Sequence, residues 1–369
     1  MRQVANLLSP LIEGREGAGA WGFATCSTIA CFHDCASCLN QGEDAKTRRT
    51  IMVPWRVASR LKWLSPNVLR KYRRILDYFE DVQHKGSDID IAEMFIKLGD
   101  PLRGIEILRL SEANIGTDVI RRKIVLSRAL WSMRMPQAAG YLLFASQELS
   151  TSYDMCLELA RIDCIIGLSS NSQKRKQHLE AASSTLKHCI RLSPERPEAY
   201  VLHGCIMALY PEWQELARHF CDRFENLISQ TNDIPLDWFT LFDAFDLNYK
   251  LGNIQRALHW LARLQQLLDK SPWVGDRFAF HSLAYSSFNL GDMKTYEEGL
   301  QLSWLLYPSK GGDLLRVYLR RGYFFRTTHM LWLAFRCTDL REYRIRLELV
   351  RNKGSDAKQI LTDLTGVSL

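Results

Sequence analysis

Residues Pro197 to Phe224 read PEAYVLHGCIMALYPEWQELARHFCDRF. Tyr200 and Gly204 stand four apart and so share one face of a helix, while Ala217, Phe220 and Phe224 mark a second helix at the same spacing. A small residue such as Gly204 lets two antiparallel helices approach closely, and the aromatic ring fills the space beside them. Immediately upstream, AASSTLKHCIRLSPERP ends a similar second helix, with Ala182, Leu186 and Cys189 in register and Pro194 as the stop.

Working outward, the same unit recurs. In LNYKLGNIQRALHWL, Gly252 and Asn253 make an inter-helix turn and Ala257 is the small residue of the second helix. In YSSFNLGDMKTYEEGLQLSWLLYP, Gly291 and Asp292 make the turn, Phe280 and Ala284 precede it, and Pro308 closes the unit. MFIKLGDPLRGIEILRL carries Gly99 and Asp100 at the turn and Gly104 at the small position, and VLSRALWSMRMPQAAGYLLF places Ala139 there, 35 residues on. Tyr296 departs from the small-residue rule, Met135-Pro136 stands where Gly-Asp is expected, and SSNSQKRKQ reads as a polar loop inserted in the unit from Tyr153 to Pro194.

Six such units in succession, over about residues 88 to 308, resemble the tetratricopeptide repeat (TPR), a helix–turn–helix of about 34 residues. The resemblance implies an all-α, TPR-like helix–turn–helix solenoid of degenerate repeats, because one helix pair cannot bury its own apolar face and neighbours must share a core. Sustained period-2 alternation between turn clusters is lacking, which agrees. The expected organisation is an irregular Cys-containing segment over 1–50, a basic amphipathic segment of one or two helices interrupted by Pro66 over 51–87, repeats over 88–308, and a basic helical cap over 309–369.

The family also implies a site. Its concave groove, lined by the first helix of each pair, holds an extended peptide or a partner helix. Carried over residue by residue, the groove positions are Phe242, Asp246 and Tyr249 in one unit and Phe278, His281, Tyr285 and Phe288 in the next, with Val201, Cys205 and Ala208 in the unit before. Such a groove is aromatic and apolar with few cations, and it lacks the Lys/Asn/Arg clamp of the heat-shock co-chaperones. Trp238, Trp260, Trp273 and Trp304 are expected between repeats instead.

Composition sets the outer bounds. The 369 residues carry 48 Lys+Arg against 41 Asp+Glu, with 47% hydrophobic and 24% charged residues, which excludes wholesale disorder. No stretch reaches the ~18–20 apolar residues of a membrane-spanning helix. The net charge of +7 is unevenly spread: Lys46 to Leu76 holds ten basic residues and no acidic one, and Lys310 to Lys353 holds eleven basic and four acidic. A solvated helical face or ends docking on an acidic body accounts for these poles. A nucleic-acid contact through Arg70, Lys71, Arg73 and Arg74 is the second reading.

Ten cysteines are too few for a disulfide scaffold, and Cys156, Cys164, Cys189, Cys205, Cys221 and Cys337 sit singly in helical patterns, as buried thiols of a reducing, cytoplasmic protein do. The one metal-like cluster is Cys26, Cys31, His33, Cys35 and Cys38. Its C-x3-C-x2-C part has the spacing of a radical S-adenosylmethionine cluster, but a βα barrel is missing and Ser37 replaces the usual aromatic. Zinc would want a second C-x2-C knuckle. No cofactor, metal site or enzyme is therefore expected. The expected function is a protein–protein interaction scaffold, a chaperone or assembly factor of a bacterial secretion system among the candidates. A metalloenzyme using the N-terminal cysteines is the third reading.

Overall fold

The computed structural model describes residues 61–111, 117–230, 235–352 and 355–367, which form seventeen α-helices and no strand. The chain is all-α. Cys26, Cys31, His33, Cys35 and Cys38 lie outside the described residues, as do the basic residues before 61.

The elements, in order, are α1 (Pro66–Lys85), α2 (Asp88–Lys97), α3 (Pro101–Leu110), α4 (Thr117–Ser132), α5 (Pro136–Phe144), α6 (Tyr153–Leu168) and α7 (Ser172–Leu192). They continue with α8 (Glu198–Met207), α9 (Gln214–Gln230), α10 (Trp238–Lys250), α11 (Ile254–Lys270), α12 (Arg277–Asn289) and α13 (Met293–Leu306). The chain ends in α14 (Gly312–Arg320), α15 (Phe324–Cys337), α16 (Leu340–Arg351) and α17 (Ser355–Thr365). From α2 onward the helices pair as consecutive hairpins, α2 with α3 through α12 with α13, and then α14 with α15. Each hairpin packs on the next, and the first helices α2, α4, α6, α8, α10 and α12 each touch the following one.

Local chemistry explains the hairpins. Gly99, Gly252, Gly291 and Gly322 occupy one equivalent turn position, all at φ between 73° and 81°. This left-handed conformation costs an L-residue about 1–2 kcal/mol, so glycine is favoured. Where Met135-Pro136 breaks the sequence pattern, Arg134 adopts φ 65° in the same role and Pro136 opens α5, where its missing N–H costs nothing. The small positions Gly104, Ala139, Ala182, Ala217 and Ala257 are buried. At the Tyr296 exception the close approach moves one turn on: a Cβ on Gly299 would lie 2.8 Å from the Phe280 carbonyl oxygen.

One sequence expectation needs correction. The polar run from 169 to 177 is a loop only through Asn171, whose side chain accepts from Lys174 N and caps α7. The rest is a solvated extension of that helix, since polar side chains on an exposed helical turn carry no penalty. Pro66 begins α1, with Ser65 as its N-cap, and residues before 61 lie outside the described residues.

The hairpin series turns back on itself. Helix α1 lays Val68, Tyr72, Ile75, Leu76 and Phe79 across α2, α13 and the Pro272–Val274 turn. Trp63 stacks on Trp304 at 5.8 Å and meets Tyr318 edge-on at 5.5 Å, while Tyr78 stacks on Trp273 at 4.9 Å. Ser65 Oγ and Asn67 Nδ2 donate to the two oxygens of Glu298, each at 2.7 Å. Farther along, Leu361 of α17 joins the core cluster of α3 to α6, and Arg341 bridges to Glu106 at 2.8 Å. Each buried large apolar side chain contributes about 1.5–3 kcal/mol, against 0–1 kcal/mol for a surface ion pair, so the apolar face of α1 holds the closure and the polar contacts set its register.

Gly99 sits at the junction. An added Cβ would meet the Leu306 carbonyl oxygen at 2.5 Å and Tyr307 Cγ at 3.0 Å, whereas one on Gly252 would meet nothing within 4 Å. Both glycines share the left-handed φ, so chemical denaturation separates turn strain from closure. Gly252→Ala is expected to cost about 1 kcal/mol and Gly99→Ala about 2–4 kcal/mol. Equal costs would mean that the Gly99 junction carries no load.

Candidate interaction site on the first helices

The first helices of the hairpins touch in succession as one wall, and among them α10 and α12 each begin with a side-chain-capped turn. Asp237 caps α10 by accepting from Thr240 N at 2.8 Å, and Asp276 caps α12 by accepting from Phe278 N and Ala279 N at 2.8 and 2.9 Å. Both aspartates face a cavity of about 180 Å³ bounded by α2, α4, α10 and α12. Trp131 stacks on Phe278 at 4.3 Å across this cavity and lies 6.0 Å from Phe239, so rings from α4, α10 and α12 meet there.

Charge surrounds these rings. Arg128 engages Glu158 with a two-pronged bond, Nε at 3.2 Å and Nη2 at 3.0 Å. Arg161 pairs with Asp237 at 3.1 Å and lies 4.5 Å above the Phe239 ring. Burial works against an ionised Glu93, yet Lys97, Arg128 and Arg121 outweigh it and hold that carboxyl down at about 2. Arg277 stands over Phe278 at 4.7 Å and Tyr307 at 5.7 Å and has no ion pair among the described residues. Burial, with Arg134 nearby, lowers its pKa, and its Nε, like that of Arg161, has no hydrogen-bond partner. The wall thus presents guanidinium groups stacked on aromatic rings, an arrangement suited to a partner with acidic or carbonyl groups.

The groove residues expected from sequence divide into three. Phe278 is half-buried under Trp131. Phe242 and Tyr249 pack partly into the core, with Tyr249 stacked on Phe245 at 5.7 Å, Asp246 pairs with Lys250, and His281 Nε2 meets Asp313 at 2.9 Å. Tyr285 and Phe288 remain exposed, their rings 5.9 and 5.0 Å from that of Tyr296. Val201, Cys205 and Ala208 are buried, as are Trp238, Trp260 and Trp304; Trp273 is half-buried beneath Tyr78. The expectation of few cations missed Arg128, Arg161 and Arg277. One signal was available: Arg128 and Arg161 stand 33 positions apart, close to the repeat period.

Three of the four α1 residues of the basic patch are engaged within the fold. Lys71 pairs with Asp269 and Arg73 with Asp77, while Arg74 donates to the carbonyl oxygens of Asp269 and Lys270 and covers Trp273 at 5.5 Å. These carbonyls end α11, where a helix has unsatisfied acceptors and a negative pole. Arg70 is exposed and donates to Asn67 Oδ1 at 3.0 Å.

Thiols offer no ready nucleophile on this wall. Burial pushes Cys164 and Cys205 up and Cys221 to about 11, and Cys205 Sγ donates to the Asp243 carbonyl oxygen at 3.2 Å. Among the described residues no group of three or more His, Cys, Asp or Glu is placed to hold a metal ion.

Asp243 gives the wall a titration. Burial raises its carboxyl pKa; Arg161 opposes and Asp246 and Asp237 add to the rise, with the balance at about 7. At this carboxyl the folded protein therefore holds a proton that the unfolded chain releases near pH 4, so the contribution of Asp243 to stability falls as pH rises from about 4 to about 7. That is opposite in sign to the contribution of His203, which burial holds down at about 4. Asp243→Asn is expected to flatten that slope and to stabilise the protein at pH 8 by roughly 1–3 kcal/mol, read from urea melts across pH. An unchanged slope would contradict this assignment.

Comparison with known proteins adds no relative to this picture: no family model matches the chain, and no curated protein shows significant similarity to it.

Proposed function

We propose that the protein is a non-enzymatic, TPR-like interaction scaffold that holds a partner peptide or helix along its first helices. The observation that carries this reading is the exposed aromatic pair Tyr285 and Phe288 on α12, the helix whose first turn carries Arg277 and the Phe278–Trp131 stack. Exposed rings on a rigid, half-buried helix lose little entropy on contact and are the side chains that anchor protein interfaces. The cavity of about 180 Å³ at the first turn of α12 suits one inserted side chain and falls below the range of drug-sized ligand pockets. The hairpin succession with its shared left-handed turn position supports the repeat assignment.

The partner chemistry follows from the wall: apolar or aromatic anchors for Tyr285 and Phe288, and an acidic or carbonyl group for Arg277. A chaperone or assembly factor of a bacterial secretion system fits that behaviour. Buried free thiols at Cys156, Cys164, Cys189, Cys205 and Cys221 suit a reducing cytoplasm. Among the described residues no helix is long and apolar enough to cross a membrane. With Lys71, Arg73 and Arg74 engaged by α1 itself and by α11 and its flank, no observation favours the nucleic-acid reading over the scaffold.

Affinity purification with mass spectrometry tests the proposal. Phe242 packs on the core, so its truncation would confound binding with folding; Tyr285 and Phe288 are the cleaner positions. Tyr285→Ala with Phe288→Ala is expected to leave the circular dichroism and melting point nearly unchanged while weakening the specific partner at least about tenfold, about 1.4 kcal/mol. Full retention of every partner would refute the assignment of this face.

A further inference from the structure

Helix α16 has two apolar faces. Ile345 and Leu349 turn inward onto the core cluster that includes Leu361, and Glu342 is buried, taking Lys310 and the Tyr307 hydroxyl at 2.7 Å. Arg341 ties the same helix to Glu106 on α3. The outward face carries Leu340, Tyr343, Leu347 and Val350, which are 77%, 43%, 52% and 71% exposed. Their spacing of three, four and three is that of alternating a and d positions of a heptad, the narrow seam by which one helix receives another.

The flanks decide what fits. With Leu340 and Leu347 at a, the e positions are Arg344 and Arg351 and the g position is Arg346. All three are cationic. Arg344 pairs only with Glu348 within its own helix, and Arg346 and Arg351 make no ion pair with a described residue. A second copy of α16 would set arginine against arginine in either orientation, since parallel pairing faces g with e and antiparallel pairing faces e with e and g with g. A helix with acidic e and g residues removes that repulsion.

We propose that the outward face of α16 is a second docking surface, separate from the first-helix wall, and that its occupant is an amphipathic helix of another protein with apolar a and d residues and Asp or Glu at e and g. The anchored inner face makes α16 a preformed platform, so binding orders only the incoming helix. A lipid surface also attracts basic amphipathic helices, but it favours a broad apolar face, and this one is a four-residue seam with no tryptophan.

The test uses the full chain and two labelled three-heptad peptides, each with Leu at a and d, one with Glu and the other with Lys at e and g. Fluorescence anisotropy is expected to show the Glu peptide binding at least tenfold more tightly than the Lys peptide, with an advantage that shrinks as salt rises. Leu347→Glu, at an exposed position, is expected to abolish binding while leaving circular dichroism unchanged. Arg344→Glu with Arg351→Glu is expected to reverse the preference toward the Lys peptide. The proposal is overturned if neither peptide binds or if both bind equally. It is also overturned if Leu347→Glu removes only concentration-dependent self-association in sedimentation, which makes a second copy the occupant. Loss of binding only to phosphatidylserine vesicles would likewise assign the face to a lipid surface and end the proposal.

Discussion

The close approach at Gly99 governs much of this molecule. A chain of hairpins needs only neighbour contacts, and nothing in such a chain requires the first hairpin to touch the sixth. Here the first inter-helix turn lies directly against the end of α13, with no room for a single carbon atom between Gly99 and the Leu306 carbonyl. Helix α1 then spans the junction with a face of large apolar residues, whose combined burial far exceeds what the accompanying ion pairs contribute. Trp63, Tyr78 and the N-cap of α1 make their long-range contacts in the same region.

Closure has an electrostatic consequence. Bringing α2 and α4 against α10 and α12 draws Arg128, Arg161, Arg277, Glu93, Asp237 and Asp276 around a small cavity. Removing these charges from water is costly, so they survive there by pairing, by capping helices and by stacking on rings. Most do so fully. Arg277 is the exception, stacked on Phe278 and Tyr307 without a carboxylate of its own, and Asp243 is another, held partly protonated near neutrality. Groups left this way are natural contact points for a partner, which is why the wall and the exposed rings of α12 belong to one functional reading.

Much of the helical layout was legible in the sequence. Left-handed turns at Gly99, Gly252 and Gly291, and buried small residues at Gly104, Ala139, Ala182, Ala217 and Ala257, announce themselves through residue type and spacing, because few other residues tolerate those conformations or contacts. Helix starts were partly legible too, as at Pro66, where the ring's fixed φ opens α1 behind the Ser65 cap. The closure was not legible, since contacts between residues two hundred apart leave no local period. For the same reason the groove was expected to be poor in cations: Arg128, Arg161 and Arg277 converge only once the first and sixth hairpins meet. The seam on α16 was hidden differently. In sequence its Leu340, Tyr343, Leu347 and Val350 cannot be told from the inward Ile345 and Leu349, and only burial separates the two faces.

The closed arrangement of hairpins is most directly tested by zero-length carbodiimide coupling of the full-length monomer, followed by mass spectrometry. The reagent joins an amine to a carboxylate only where the two are in contact. Lys71 and Asp269 form such a pair across the junction, and Lys310 and Glu342 form a buried reference pair whose reaction is limited by access. A Lys71–Asp269 isopeptide is expected in the monomer, diminished in Gly99→Ala. Its absence from a monomer whose exposed in-helix pair Lys85–Asp81 does couple would show that the ends of the hairpin series do not meet.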